Sequence, residues 1–379
     1  MRIVVLGYII RGPLGGMCWH HFQYILGLKK LGHEVLFLED SDDYPACYNP
    51  LTFEMSKDPA YGLEFIKKLF NKFNVGDNWA YFDAHTNKWF GLNKQKVFSF
   101  CKHADIVLNL SAINPLRDWC KTIPSLVFID TDPLFTQVKI LKDPSMKTLA
   151  KEHTAFFSFG ENINSPDCEI PLDGFNWKAT RQPVFMEAWK FIPPSSKSKW
   201  TTLMQWDSYK EQEYNSKTYG MKSSSFKDYI TFPEKLSDSF ELVMVSTKAP
   251  EVILRKAGWH LCDPAKVSLT PENYQHFIQQ SKGEWSVAKH GYVISNSAWF
   301  SERSCAYLAS GRPVVIQDTG FSKFIQTGKG LFSFTSQTEA VAAIEKINSD
   351  YLKHCHYARE VVEEYFNSDK VLTELLNNL

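Results

Sequence analysis

The sequence predicts an α/β protein built as two halves, each a parallel sheet clothed by helices. Three observations carry this. Short apolar runs rich in β-branched and aromatic residues recur along the chain. Each runs into a polar or glycine-bearing loop, after which apolar residues take up helical spacing. Prolines and polar residues then cluster at 166–200 and divide the chain into two stretches of similar size.

Taken in order, Arg2–Gly7 reads as a buried parallel strand. A Gly/Pro turn at Gly12–Gly16 follows. Cys18, Phe22, Ile25 and Leu26 then recur at helical spacing, and Gly32 is placed to end that helix. Glu34–Leu38 closes a βαβ unit. Residues 41–100 are aromatic-rich and less regular, with helices expected at 61–73 and 93–102. Strands are expected at Asp105–Leu110, Ser125–Ile129 and Ala155–Phe159. Beyond Pro166, Pro171, Pro183, Pro193, Pro194 and the polar run Ser195–Lys199, Thr201–Trp206 opens a second alternation. It continues as a helix at 222–231, strands at 240–245 and 258–262, a helix at 271–281 and a strand at 284–288. A helix at 301–310, the strand Pro313–Gln317, and helices at 336–349, 351–366 and 368–378 complete it. Two such halves leave a crevice between the carboxyl ends of their sheets, where ligands bind.

The composition excludes several classes. In 379 residues, 44% are hydrophobic and 22% charged, so the chain is not a disordered one. Its 42 basic and 42 acidic side chains cancel, which gives no support to a general nucleic-acid or anionic-membrane binder. No nucleic-acid partner is expected. No run approaches the ~20 apolar residues of a membrane span, and MRIVVLGYII reads as a core strand rather than a signal peptide. The 8 cysteines are scattered without a C-x-x-C pair, which suits reduced thiols and a cytoplasmic location. The 11 tryptophans suit either a stacking cleft or a large core.

Three constellations bear on chemistry. Gly15 and Gly16 precede a helix whose free N–H groups and positive dipole end suit a phosphate, while a tight βα turn accounts for the same glycines. His20 and His21 fall in the first turns of that helix, and His20 is a candidate general base. In the second constellation Ser301 reads as an N-cap, with Glu302, Arg303 and Ser304 in the first turn. There a guanidinium and a hydroxyl reach an anion at the helix end. Lys289 adds charge after another strand, and Asp318, Thr319 and Gly320 form a loop at a strand's carboxyl end. The third is Asp130-Thr131-Asp132, whose two carboxylates read as a divalent-cation site or, before Pro133, as a turn. Asp130 is the second candidate base. No metal ligands are assigned.

At these residues the chain resembles GT-B glycosyltransferases of the "glycosyl transferases group 1" type. Gly15-Gly16, a helix and Gly32-His33-Glu34-Val35 are similar to the GG…GHEV signature of that family's first domain. Tyr307-Leu308-Ala309-Ser310-Gly311-Arg312-Pro313-Val314-Val315 resembles the E-A-x-A-x-G-x-P-V pattern of its donor domain. The resemblance implies two Rossmann-like domains facing across a cleft: residues 1–190 on the acceptor side, 200–360 on the donor side, and 361–379 returning to the first. It implies transfer of a sugar from a nucleotide-diphosphate donor, a UDP- or GDP-sugar, to a small-molecule or glycan acceptor, without a metal or further cofactor. One departure stands out. The family's paired glutamates that hold the donor's ribose fall here on Ala298 and Ala306, so Glu302, Arg303 and Ser304 are expected to take over that binding. The other readings are a sugar-nucleotide epimerase on the same fold, a DNA-base glycosyltransferase and an inactive sugar-nucleotide-binding module.

Overall fold

The computed structural model describes every residue except Asp43, Pro194, Ser196, Lys197 and Thr247. Part of the expected linker, Pro194, Ser196 and Lys197, therefore lies outside the described residues. Two sheets dominate. The first runs, edge to edge, Trp177–Ala179, Ala155–Ser158, Ser125–Asp130, Ile106–Leu110, Arg2–Leu6, Glu34–Asp40, Trp79–Asp83 and Lys88–Gly91. All pairings are parallel except the last, which is an antiparallel edge. The second runs Trp259–Cys262, Phe240–Val245, Trp200–Gln205, Gly283–Ser286, Val314–Gln317 and Leu331–Phe334, all parallel.

Burial explains the strand composition. Arg2–Leu6 lies mid-sheet, with Ile3 paired to both Val35 and Ile106. Helices cover both of its faces, so its side chains are apolar without alternation. Helix Gly15–Lys30 ends where Gly32 takes φ +83°.

The expected strands and helices after residue 236 are present to within a few residues, although the expected 284–288 strand is Gly283–Ser286. The expected 222–231 helix is the short Lys222–Phe226, followed by 3₁₀ turns. Strands Trp79–Asp83, Lys88–Gly91, Trp177–Ala179 and Leu331–Phe334 were not anticipated; three of the four are edge strands. Such strands need not carry the doubly apolar pattern of a central one.

The tryptophans fill cores. Trp285 stacks on Phe232 at 4.7 Å and packs 5.3 Å from Trp259 inside the second half. Trp19 meets Trp189 at 4.9 Å where the halves join. There the Gly15–Lys30 helix packs against helix Pro271–Gln280 of the second half, and Trp19 donates to the Pro271 carbonyl at 3.0 Å. Helix Ser368–Asn377 returns to lie on the same first helix, with Leu372 and Ser368 against Gly27. No helix among the described residues is long and apolar enough to cross a membrane.

Candidate functional site

On the first half, the site begins at the N-terminus of helix Gly15–Lys30. Gly15 and Gly16 do not face open space. A β-carbon on Gly15 would stand 2.5 Å from the Thr270 carbonyl oxygen, and one on Gly16 3.1 Å from the Tyr274 ring. The two glycines thus admit the start of helix Pro271–Gln280 to close contact, which neither of the two readings from sequence included.

His20 and His21 part company. Nδ1 of His21 donates to the Met17 carbonyl at 2.9 Å, and its Nε2 is sealed from solvent without a partner. Nδ1 of His20 lies 2.7 Å from the Gln182 amide oxygen, and its Nε2 has neither a partner nor a seal. Burial pushes the His20 imidazole below its ordinary value, an effect that Glu302 partly offsets.

Asp130 is fully buried. It accepts from Ser158 at 2.6 Å, Gln137 at 3.0 Å and the Asp132 amide at 2.9 Å. Its carboxylate organises the loop and is sealed from solvent. Asp132 next to it takes Lys289 at 2.9 Å together with the hydroxyls of Tyr209 and Tyr292. The two aspartates therefore have separate partners, and no group of metal-ligating side chains occurs among the described residues.

On the second half, Ser301 caps helix Glu302–Ala309 by accepting from the Arg303 amide at 3.3 Å. The Arg303 guanidinium is locked from behind: Nε donates to Glu284 at 2.5 Å and Nη2 to Ser286 at 3.2 Å. Its Nη1 has no protein partner and is not sealed. Burial opposes the charge on Arg303, but Glu284 and Glu302 outweigh it and hold it cationic. Ser304 is fully buried and its hydroxyl has no partner, so it faces the packing under the helix.

The sequence reading missed Lys222. It is 7% exposed and has no ion-pair or hydrogen-bond partner among the described residues. Burial pushes its ammonium well below the usual lysine range. Arg303 and Lys289 push the same way, while Glu284 and Glu302 resist. One signal for it was legible: a lysine opening a helix stands where the dipole favours an acid. Glu284 was missed as well. It is fully buried, and its Oε2 is sealed without a donor.

Lys289 reaches across the crevice. Its ammonium lies 4.5 Å from the Tyr209 ring centre, 4.9 Å from Phe135 and 5.2 Å from Tyr292, in an aromatic cage closed by Asp132. Trp299 stacks on Tyr292 at 4.3 Å and donates to the Thr131 carbonyl at 3.2 Å. Thr319 donates to the Trp299 carbonyl at 2.6 Å, and Asp318 accepts from the Gly320 amide at 2.8 Å. That loop therefore buttresses the Trp299 turn.

The structure thus gathers His20, Glu302, Arg303 and Lys289 with the unanticipated Lys222 and Glu284 into one electrostatically linked set. It leaves Gly15, Gly16 and Ser304 in close packing around them, and Asp130 buried in its own hydrogen bonds. No family model matches the chain, and no curated protein matches it. Solved structures do. An alpha-glucosyltransferase in complex with UDP-glucose and DNA containing an abasic site superposes with a TM-score of 0.61 at 11% identity, covering 100% of this chain and 99% of that one. Anabaena HepE in complex with UDP and glucose gives 0.52 at 13% identity, covering 100% of both chains. Sucrose-phosphate synthase from Thermosynechococcus elongatus gives 0.51 at 11%, covering 100% and 98%. With two parallel α/β sheets facing across a crevice, the chain has the GT-B glycosyltransferase fold.

Proposed function

We propose that the protein transfers a sugar from a nucleotide-diphosphate donor to an acceptor hydroxyl. In this reading residues 200–360 hold the donor, residues 1–190 hold the acceptor and residues 361–379 return to the first half. The observation that carries it is the largely buried Lys222 ammonium, which has no hydrogen-bond or ion-pair partner among the described residues, beside a guanidinium fixed with one open edge. A buried cation without a direct partner is costly, and a diphosphate relieves the cost. Lys222, Arg303 and Lys289 would then face the charge that grows on the leaving diphosphate. Glu302 has no hydrogen-bond or ion-pair partner for its side chain among the described residues and suits the ribose hydroxyls in place of the glutamates missing at Ala298 and Ala306. The loop Asp318-Thr319-Gly320, with the Trp299 turn it supports, would stand near the sugar. His20 is the base on the acceptor side. Two structural neighbours, one in complex with UDP-glucose and one with UDP and glucose, favour UDP.

The test is calorimetry with UDP on the wild type and Lys222→Met. A ligand that binds only the folded state also raises the melting temperature by mass action, so a thermal-shift screen of UDP, GDP, ADP, CMP and TDP sugars identifies the nucleotide. Lys222→Met should keep or gain stability and lose at least about tenfold in affinity, as expected when one charged hydrogen bond is removed. Equal affinity in the two proteins refutes the site. Omitting the acceptor separates transfer from epimerisation, since an epimerase consumes donor alone. A DNA acceptor is the second reading, because DNA appears with one neighbour. Salt-sensitive retention on DNA would support it.

A further inference from the structure

Gln182 lies on the segment that carries the chain from the first half to the second. Its side-chain nitrogen stands 3.1 Å from the His20 carbonyl oxygen and 3.0 Å from the Pro183 carbonyl oxygen. Both oxygens can only accept, so the end of the amide facing them is the NH₂ group. The other end is then the carbonyl oxygen, and it too can only accept. It lies 2.7 Å from Nδ1 of His20, which must therefore carry the proton. The amide orientation and the imidazole tautomer follow from the two carbonyls together.

We propose that Gln182 is a positioning residue that holds His20 with its proton on Nδ1 and presents the Nε2 lone pair to an acceptor hydroxyl in the crevice. The tautomer rests on hydrogen-bond geometry alone, and its use in catalysis rests on the sugar-transfer reading. His21 cannot serve in its place, since its Nε2 is sealed. In the step, the acceptor O–H proton moves to Nε2. The acceptor oxygen bonds to the sugar's anomeric carbon, and the bond from that carbon to the diphosphate oxygen breaks with its electron pair on the diphosphate. His20 is left with both ring nitrogens protonated and passes the extra proton to solvent.

The support is neutral, which matters for basicity. A carboxylate behind Nδ1 would stabilise the imidazolium, whereas an amide oxygen does so only weakly. The charged and titratable groups that act on His20 are Glu302, from helix Glu302–Ala309, and His21, its neighbour. Phe159 packs edge-on at 6.2 Å, and Arg181 beside Gln182 is taken up by Glu161. The ring is therefore neutral near pH 7, with one nitrogen free to accept.

The experiment is ¹⁵N spectroscopy of the histidine-labelled full chain, with the His20 signals assigned by their loss in His20→Gln. The wild type should show His20 protonated on Nδ1 above pH 7. Gln182→Met should move it toward the Nε2–H form and lower kcat about 10²-fold with donor KM unchanged, the scale of a lost general base. Gln182→Glu, which keeps the side-chain shape, should raise the His20 midpoint by about one unit and carry the acid limb of the pH–rate profile with it. A wild-type His20 protonated on Nε2, or a Gln182→Met protein that keeps the Nδ1–H form, overturns the proposal. The expected tautomers in a protein that turns over no donor would uphold the hydrogen-bond assignment and overturn the sugar-transfer reading alone.

Discussion

Asp132 and Lys289 are 157 residues apart in the chain and 2.9 Å apart in space, joining the two halves across the mouth of the crevice. The pair is mostly shielded, with 13% of the lysine side chain and 32% of the aspartate exposed.

Asp132→Ala removes the anion and leaves Lys289, Tyr209 and Tyr292 without their shared acceptor. The expected cost is about 2 kcal/mol, the scale of hydrogen bonds to a charged group. Urea denaturation should show it, and small-angle scattering should show a larger radius of gyration. An unchanged midpoint and an unchanged radius would mean that the contact holds nothing together.

Gly15→Ala would drive a methyl against the backbone of Thr270, which cannot swing aside as a side chain tip can. Overpacking of this kind costs about 1–3 kcal/mol. Gly32→Ala is the control: it faces open space and bears only the strain of its φ of +83°. The two should differ in domain contact, read by hydrogen exchange on helix Pro271–Gln280. Equal exchange in both would show that Gly15 is not the point of close approach.

Arg303→Ala does two things at once. It empties the anion site, and it abandons Glu284, which is fully buried and already has one oxygen without a donor. Breaking a buried pair from one side costs about 3–5 kcal/mol. The double variant Arg303→Ala with Glu284→Gln should recover most of that stability and none of the nucleotide binding. Thermal unfolding and calorimetry on the two proteins decide it, and a double variant no more stable than the single one counts against the pair.

His153 supplies a pH dependence. Burial lowers its imidazole from 6.5 to about 4. The folded state therefore refuses a proton that the unfolded chain accepts. Stability is full above pH 6.5, falls as the pH drops from 6.5 toward 4, and levels off below that, for a total of about 3 kcal/mol. His153→Gln, which can still accept from Asn109, should flatten the slope in that window. A slope unchanged by the substitution assigns it to other groups.

The central strands were legible because burial on both faces leaves an unmistakable apolar run, as in Arg2–Leu6 and Ser125–Asp130. Edge strands such as Lys88–Gly91 were not, because one free side relaxes that demand. Within the site, Arg303 and Ser301 could be found from capping logic. Gln182 could not, because its role depends on what stands opposite it from distant parts of the chain; Lys222 left one local signal, a lysine at a helix start, but its burial comes from such distant parts as well. Gly15 and Gly16 were noticed for the right physical property, room for close approach, but the body that approaches is a helix 255 positions or more along the chain, which spacing along the sequence does not reveal.

The chain passes between its halves twice, and the two passages are bonded to each other. Val184 donates to Phe366 at 2.7 Å and accepts from Ser368 at 2.9 Å, with Val184 and Asn367 bridged in parallel. They form a two-ply cord rather than two loose tethers. The halves can swing about that cord, but neither can slide past the other without severing it. Opening to admit a substrate would then be a rotation, with amide protection at Val184 and Ser368 persisting while protection across the mouth is lost.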